Sequence, residues 1–219
     1  MAIRLDPKQS ALIIQDLQND VIMEGGAFAD SGAPAHAKSQ RVVANVKALA
    51  AAAREAGMPV IHVWYVVEKG APGLKQNAPL FQGVKSANAL VRGSWGAAPV
   101  KGLEPKRGDF VVEKMRMNAF YATNLDNLLR GLGVETLVIT GAWTNMSIEH
   151  TARHAADAGY RAVVVTDGTS TVNDEWHEAA LNYALQNVAD RVPTKDVLAA
   201  LSRRAARKPP TRARTRART

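Results

Sequence analysis

The stretch VETLVITGAWTNMSIEHTARHAADAGY, residues 134–160, joins an apolar run to a helical pattern through a short polar turn. The apolar run at 135–140 predicts a buried strand, and the pattern after the turn predicts a helix over 148–158. Ser147 stands at the start of that helix, where free backbone N–H groups can stabilise an oxyanion. The stretch therefore predicts a unit that presents one small hydroxyl group at the carboxyl end of a strand.

The alternation of strand and helix continues on both sides of this unit. Other strands are predicted at 11–17, 59–66, 109–114, 161–166 and 190–193. Helices are predicted at 37–58, 123–133, 173–189 and 195–204, and residues 67–108 predict a long irregular segment. The later strands are continuously apolar, as expected when both sheet faces are covered. We predict one α/β domain at residues 1–201, a three-layer α/β/α Rossmann-like fold with a mainly parallel six-stranded sheet.

The positive charge of the chain is concentrated at its end. Residues 202–219 carry eight Lys or Arg residues and no acidic residue, which equals the net charge of +8 of the whole chain. Like charges, low hydrophobicity and Pro209-Pro210 predict a disordered basic tail. No aromatic residue lies between the arginines, so we expect at most weak contacts of this tail with nucleic acid.

Composition excludes several classes of protein. The chain has no cysteine, which excludes disulfides and thiolate metal sites and is typical of the cytoplasm. No apolar stretch reaches the ~18 residues of a membrane span, and the first residues lack the apolar core of a signal peptide. No Gly-rich segment stands between a predicted strand and a helix in the manner of a phosphate-binding loop. We therefore expect a cytoplasmic protein without membrane contact, cofactor or bound nucleotide.

Three chemically useful side chains follow predicted strands. Asp16 ends the first strand, Lys114 ends the third, and Ser147 follows the fourth. Ligands of open parallel sheets bind at the carboxyl ends of the strands, so these three side chains are expected to meet at one edge. An acid, an amine and a hydroxyl group at one edge predict a hydrolytic site.

Three segments carry a resemblance to a known family. ALIIQDLQND, DFVVEKMRMNAFYATNLDNLL and LVITGAWTNMSIEHTARHA resemble the signature segments of the isochorismatase-like hydrolases, also called the cysteine hydrolase superfamily. The resemblance extends from residue 11 to about residue 201, with the segments in family order. It implies the Rossmann-like fold, a small-molecule substrate and a homo-oligomer, either dimer or tetramer.

The resemblance also implies roles for individual residues. Asp16 would be the general base, and Lys114 would keep Asp16 ionised and stabilise developing negative charge. The nucleophilic Cys of the family falls on Ser147, and the non-proline cis peptide of the family falls between Ala142 and Trp143. The N–H groups of Trp143 and Ser147 would then form the oxyanion hole.

Serine at the nucleophile position leaves several hypotheses open. A hydroxyl is far less acidic than a thiol, whose pKa is about 8.5. Ser147 is then either the working nucleophile of an amidase acting on a small amide, ureido or carbamoyl compound, or a replacement of a parental Cys. Alternatively, the protein hydrolyses a vinyl ether without a covalent step, as true isochorismatases do, or it is a catalytically silent binding protein.

Five residues are predicted to contact the substrate: Trp143, Phe120, Tyr121, Arg92 and His150. Aromatic side chains would wall the pocket, and an Arg would pair with a substrate carboxylate. The nicotinamidase branch of the family carries metal-binding His residues after its second strand. The corresponding segment here, YVVEKGAPGLKQNAPL, has none, so no catalytic metal is expected.

Overall fold

The sheet of this protein has six strands, all parallel, in the order β3-β2-β1-β4-β5-β6. A computed structural model describes residues 3–205. The strands are β1 (Ser10–Gln15), β2 (Val60–Tyr65), β3 (Phe110–Lys114), β4 (Thr136–Ala142), β5 (Arg161–Ser170) and β6 (Ala189–Val192). The predicted α/β fold with a parallel six-stranded sheet is confirmed.

The strand order contains one switch point, between β1 and β4. The chain builds β1, β2 and β3 towards one edge, returns to the middle, and builds β4, β5 and β6 towards the other. Loops after β1 and β4 therefore leave the sheet in opposite directions and open a crevice between them. Asp16 follows β1, and Ser147 follows β4, so the topology places both residues at this crevice.

Helices cover both faces of the sheet. They are α1 (Asn19–Ile22), α2 (Ala33–Ser39), α3 (Val42–Ala56), α4 (Pro79–Ser86), α5 (Leu125–Gly131), α6 (Glu149–Asp157), α7 (Asp174–Ala179) and α8 (Thr194–Ala205). A short 3-10 helix at Ala29–Ser31 and two π-helical turns, at Thr144–Ile148 and Ala180–Ala184, complete the set. Within residues 3–205, no helix is both long enough and apolar enough to cross a bilayer.

Alternating side chains of β1 build two separate cores. Leu12 and Ile14 belong to the cluster that includes α3 and α8, whereas Ala11 and Ile13 belong to the cluster that includes α5 and α6. Successive side chains of a strand point to opposite faces, so a strand covered on both sides must be apolar throughout. This explains why β1 reads as a continuous apolar run.

The predicted elements differ from the structure in several places, among them the helix predicted at 173–189, which consists of α7 and the π-helical turn Ala180–Ala184. The helix predicted at 37–58 is divided, because Arg41 adopts a left-handed conformation with φ +55° between α2 and α3. The segment predicted as irregular contains α4. Helix α8 continues to Ala205, past the predicted domain end at residue 201, and residues 206–219 of the predicted basic tail lie outside the described residues. Ser147 lies inside a π-helical turn rather than at the start of α6.

Candidate active site

A buried ion pair lies at the crevice. Lys114 Nζ is 2.7 Å from Asp16 Oδ2 and donates a second hydrogen bond to the carbonyl of Arg116 at 2.9 Å. The side chains of Lys114 and Asp16 are 0% and 5% exposed. Asp16 leaves β1 with φ +55°, a left-handed conformation that is uncommon for residues other than glycine. Lys114 also lies over the Tyr65 ring, 4.9 Å from its centroid.

Burial shifts both members of this pair towards their neutral forms. Desolvation raises the pKa of Asp16, although the charge and hydrogen bond of Lys114 act in the opposite direction. Desolvation likewise lowers the pKa of Lys114, against the effect of Asp16. A carboxylate with a raised pKa is a stronger base than an ordinary aspartate, which suits it to accept a proton.

Ser147 lies beside Asp16. Its hydroxyl is among the groups that lower the pKa of Asp16. The second carboxylate oxygen, Asp16 Oδ1, is buried and accepts no hydrogen bond within the described part of the chain. One oxygen of Asp16 is therefore held by Lys114, while the other has no donor among the described residues, and the Ser147 hydroxyl is close enough to act on this carboxyl group.

The turn that carries Ser147 begins with a cis peptide bond. The bond joins Ala142 to Trp143, as the resemblance implied. The π-helical turn Thr144–Ile148, which we call the Ser147 turn, follows directly. Thr144, its first residue, is fully buried and bonds His177 Nδ1 through its hydroxyl at 2.8 Å. His177 therefore holds the start of the turn against α7.

Asp16, Ala142, Trp143 and Ser147 line one small cavity. Its volume is about 50 Å³, which leaves room for only a few non-hydrogen atoms. Most of the remaining wall is apolar and consists of Val21, Phe28, Leu80, Val84, Leu90 and Met146. The cavity thus combines a polar base with apolar walls, as is typical of sites for small organic molecules.

Residues 10–196 match the isochorismatase domain. The chain belongs to the isochorismatase family. An isochorismatase family protein from Desulfovibrio vulgaris subsp. vulgaris str. Hildenborough is 32% identical, with a TM-score of 0.74 over 91% of this chain and 99% of that one. The family assignment makes the protein an isochorismatase-like hydrolase by relationship.

Two more distant structures share the fold. A cysteine hydrolase from Pseudomonas syringae pv. phaseolicola 1448A has a TM-score of 0.81 at 22% identity, over 92% of this chain and 96% of that one. The N-carbamoylsarcosine amidase from Thermoplasma acidophilum has a TM-score of 0.67 at 24% identity, over 85% of this chain and 96% of that one. The isochorismatase fold is therefore preserved over nearly the whole length of these chains.

Two residues of the site were missed in the sequence. Tyr65, the last residue of β2, lines the cavity, and its buried hydroxyl contacts no hydrogen-bond partner among residues 3–205. Burial raises the pKa of Tyr65, so the phenol stays protonated. Asp20 connects two segments next to the cavity, because its carboxylate accepts hydrogen bonds from the N–H groups of Ala27 and Leu90. The one sequence signal that could have identified either residue as part of this isochorismatase site is the position of Tyr65 at the end of a strand.

Four of the predicted substrate contacts lie outside the cavity wall. Phe120 packs in the core that includes α5 and α6, stacked on His154 with a centroid distance of 4.6 Å. Tyr121 is 62% exposed. His150 is exposed on α6, where Nδ1 lies 3.1 Å from the carbonyl of Met146. Of the five predicted contacts, the structure brings Trp143 to the cavity.

Arg92, the fourth of these residues, already has acidic partners. Its guanidinium contacts Glu113 through two hydrogen bonds of 2.8 and 2.6 Å and Glu68 through one of 2.6 Å. The sequence showed an Arg in a long loop but not the two acids that would neutralise it. The role of Arg92 as a partner for a substrate carboxylate is therefore not supported by its position.

A larger open depression of about 570 Å³ lies away from the ion pair. Exposed Trp176 and Tyr183 line it, and none of Asp16, Lys114 and Ser147 is among the described residues of its wall. Within residues 3–205, no cluster of three His, Asp or Glu side chains has the arrangement of a metal site. Assembly into a dimer or tetramer stays a prediction.

Proposed function

We propose that the protein hydrolyses a C–N bond of a small amide, ureido or carbamoyl compound, with Ser147 as the attacking group. The observation that carries this proposal is the buried Asp16–Lys114 pair, because one oxygen of Asp16 has no donor among the described residues and Asp16 lines the same small cavity as Ser147. Family membership supports hydrolysis. The same fold occurs in an N-carbamoylsarcosine amidase, which supports hydrolysis of a carbamoyl C–N bond but not the uncharged substrate inferred below, because N-carbamoylsarcosine carries a carboxylate.

In the first half of the reaction, Asp16 Oδ1 accepts the hydroxyl proton while Ser147 Oγ attacks the carbonyl carbon. The carbonyl oxygen becomes an oxyanion, and backbone N–H groups of Trp143 and Ser147 stabilise it. Support for this role comes from Trp143, whose N–H donates to no acceptor among the described residues. Lys114 holds the other oxygen of Asp16 and balances its charge.

In the second half, protonated Asp16 donates its proton to the leaving nitrogen, and the C–N bond breaks. Ammonia or an amine departs and leaves an ester on Ser147. A water molecule then attacks the ester carbonyl as Asp16 accepts its proton again. As the bond to Ser147 Oγ breaks, Asp16 donates this proton to Oγ, which releases the acid and restores both the hydroxyl and the Asp16 carboxylate.

The substrate of this cavity is uncharged. Asp16 and Lys114 neutralise each other, and the rest of the wall is mostly apolar. A substrate carboxylate would lose its hydration against this wall without gaining a cation, which is energetically costly. The cavity therefore favours a neutral acyl group of a few atoms.

A second candidate is vinyl-ether hydrolysis of the isochorismatase type, in which Asp16 acts as an acid. Serine in place of the family Cys favours it, because that reaction needs no covalent nucleophile. The apolar wall disfavours it, since isochorismate carries two carboxylates. The same serine leaves a silent binding protein as the third hypothesis.

Product assays on two proteins separate these hypotheses. Ammonia release is measured from neutral amides and ureas, and pyruvate release from isochorismate, with the unchanged protein and Ser147→Ala. Amide hydrolysis that Ser147→Ala abolishes supports the proposal. Pyruvate release that survives Ser147→Ala supports the second candidate, and silence on every compound supports the third.

A further inference from the structure

The side chain of Gln15 connects the chain segments that carry the three reactive groups. Gln15 is the last residue of β1, directly before Asp16, and it is 0% exposed. Its Nε2 donates to the carbonyl of Ser147 at 3.2 Å and to the carbonyl of Met117 at 3.1 Å. Met117 belongs to the segment just after Lys114. The Gln15 amide thus contacts the Ser147 turn and the segment after Lys114, and Gln15 itself directly precedes Asp16 in the chain.

The orientation of this amide is chemically determined. Both partners are carbonyl oxygens, which only accept hydrogen bonds, so the amide nitrogen must face them. The Lys114 ammonium adds a parallel link, because it donates to the carbonyl of Arg116 at 2.9 Å. Two buried donors therefore hold the segment after β3, one from the ion pair and one from Gln15.

The backbone of Gln15 also lies very close to the backbone of the neighbouring strand β4. Gln15 pairs with Gly141, and a Cβ atom on Gly141 would overlap the Gln15 carbonyl. The backbones of β1 and β4 are therefore too close at this point for a side chain on Gly141. This close contact fixes the backbone of Gln15 against β4.

We propose that Gln15 is a positioning residue, which fixes the Ser147 turn and the segment after Lys114 relative to Asp16. Gln15 is not part of the cavity wall, and its side chain is one of the groups that lower the pKa of Asp16. It acts through the carbonyl groups of Ser147 and Met117, and small errors in the position of a nucleophile can cost orders of magnitude in rate. This inference rests on the proposed function, because it assigns Gln15 to that same site.

A second buried glutamine provides a matched control. Gln18 is also 0% exposed, and its Nε2 donates to two backbone carbonyls, those of Tyr65 and Ala97. Its acceptors lie outside the Ser147 turn and outside the segment after Lys114. Gln18 also accepts a hydrogen bond of 2.8 Å from the N–H of Tyr65 through its Oε1. Gln15→Met and Gln18→Met each remove one buried amide that donates to two backbone carbonyls, and only the first loosens the three segments relative to one another.

The test uses a thiol in place of the Ser147 hydroxyl. The chain has no cysteine, so Ser147→Cys introduces a single thiol whose alkylation by iodoacetamide reports one position. The thiolate is the reacting form, and its pKa and its rate depend on the groups around it. Alkylation rates are measured against pH for Ser147→Cys alone and combined with Gln15→Met, Gln15→Asn or Gln18→Met, below the melting temperature of every variant.

We expect Gln15→Met to lower the alkylation rate near neutral pH at least about fivefold and to raise the pH midpoint, because the thiolate loses its fixed surroundings. Gln18→Met should stay within about twofold of the parent. If Gln15→Met does not fold, Gln15→Asn, which keeps an amide on a shorter side chain, gives the deciding comparison. Equal rates and midpoints for the Gln15 and Gln18 variants would overturn the inference.

The parent variant tests the proposed function separately. A pH midpoint of Ser147→Cys near 8.5, the ordinary value of a thiol, would count against an activating site. The difference between Gln15 and Gln18 variants would still decide the role of Gln15. Failure of the two proposals therefore gives different results.

Discussion

Lys114 and Asp16 form their 2.7 Å ion pair across β2, because β3 and β1 are not adjacent in the sheet. Both side chains are almost completely buried. Removing two charges from water costs several kcal/mol per ion, and their attraction often only offsets this cost. Two well-packed hydrophobic residues would stabilise the fold equally well, so we interpret the Asp16–Lys114 ion pair as a feature that serves the chemistry of the site.

Removing one member of this ion pair should destabilise the protein more than removing both members. Asp16→Asn leaves the Lys114 ammonium buried without its counter-ion, which should lower the free energy of unfolding by about 3–5 kcal/mol. Asp16→Asn combined with Lys114→Met should be much less destabilised than the sum of the two single changes. Urea unfolding of the four proteins measures the coupling, and additive losses would show that the pair is not coupled.

Gly141 should tolerate no side chain. Its φ is +131°, and a Cβ atom there would overlap the Gln15 carbonyl, so Gly141→Ala should lower the free energy of unfolding by more than about 2 kcal/mol. Gly131, at the end of α5, is the matched control, because a Cβ atom there meets no atom within 4 Å. In thermal unfolding, the melting temperature of Gly131→Ala should be equal to or slightly higher than that of the unchanged protein. Equal melting temperatures for Gly141→Ala and Gly131→Ala would refute the steric argument.

His177 should make the fold sensitive to acid. Burial, with a smaller effect of His36, lowers the pKa of His177 to about 4, against the Thr166 carbonyl and Asp174. Protonation would also end the hydrogen bond in which Nδ1 accepts from Thr144, since Nε2 faces the Thr166 carbonyl. The unfolded value is about 6.5, so this stabilisation is complete above about pH 6.5 and is lost as the pH falls towards 4.

The expected loss from His177 is about 2 kcal/mol between pH 7 and pH 5, measured by urea unfolding at both pH values. His177→Gln should remove this part of the pH dependence, while other buried groups keep theirs. His150→Gln, on the exposed side of α6, should leave the dependence as it is. An unchanged slope in His177→Gln would contradict the assignment.

Neutral amides should be better substrates than amides with a carboxylate. Butyramide and succinamate have the same number of carbons, and we expect kcat/KM for butyramide to be at least about tenfold higher because the wall is apolar. Arg92→Met should change neither value, since Arg92 is bound to Glu113 and Glu68. A preference for succinamate that Arg92→Met abolishes would restore the sequence-based role of this residue.

The sequence contained the fold and the positions at the strand ends. Continuous apolar strands and alternating helices predicted the parallel sheet, and the rule for carboxyl ends selected Asp16, Lys114 and Ser147 before any contact was known. The fold prediction is confirmed because it depends on local periodicity and topology, and the assignment of the three side chains to a hydrolytic site stays a prediction. The switch point between β1 and β4 brings Asp16 and Ser147 together, whereas Lys114 reaches Asp16 across β2.

The cavity wall could not be predicted in the same way. Leu80 and Val84 come from α4, inside a segment whose sequence looks irregular, and Asp20 fixes Leu90 through a single long-range hydrogen bond. Phe120 was predicted to face the substrate but packs in the core instead. Such choices depend on how distant segments pack, which residue type and spacing do not determine.

The most direct test of the account is the rate of ammonia release from neutral amides by the unchanged protein and by Ser147→Cys. If Asp16, Lys114 and the Ser147 turn form an intact hydrolytic site, the thiol should raise kcat at least about a hundredfold, equivalent to about 2.7 kcal/mol of activation free energy. Asp16→Asn should abolish that gain. If Ser147→Cys is as silent as the unchanged protein on every neutral amide, the site is not an amidase site.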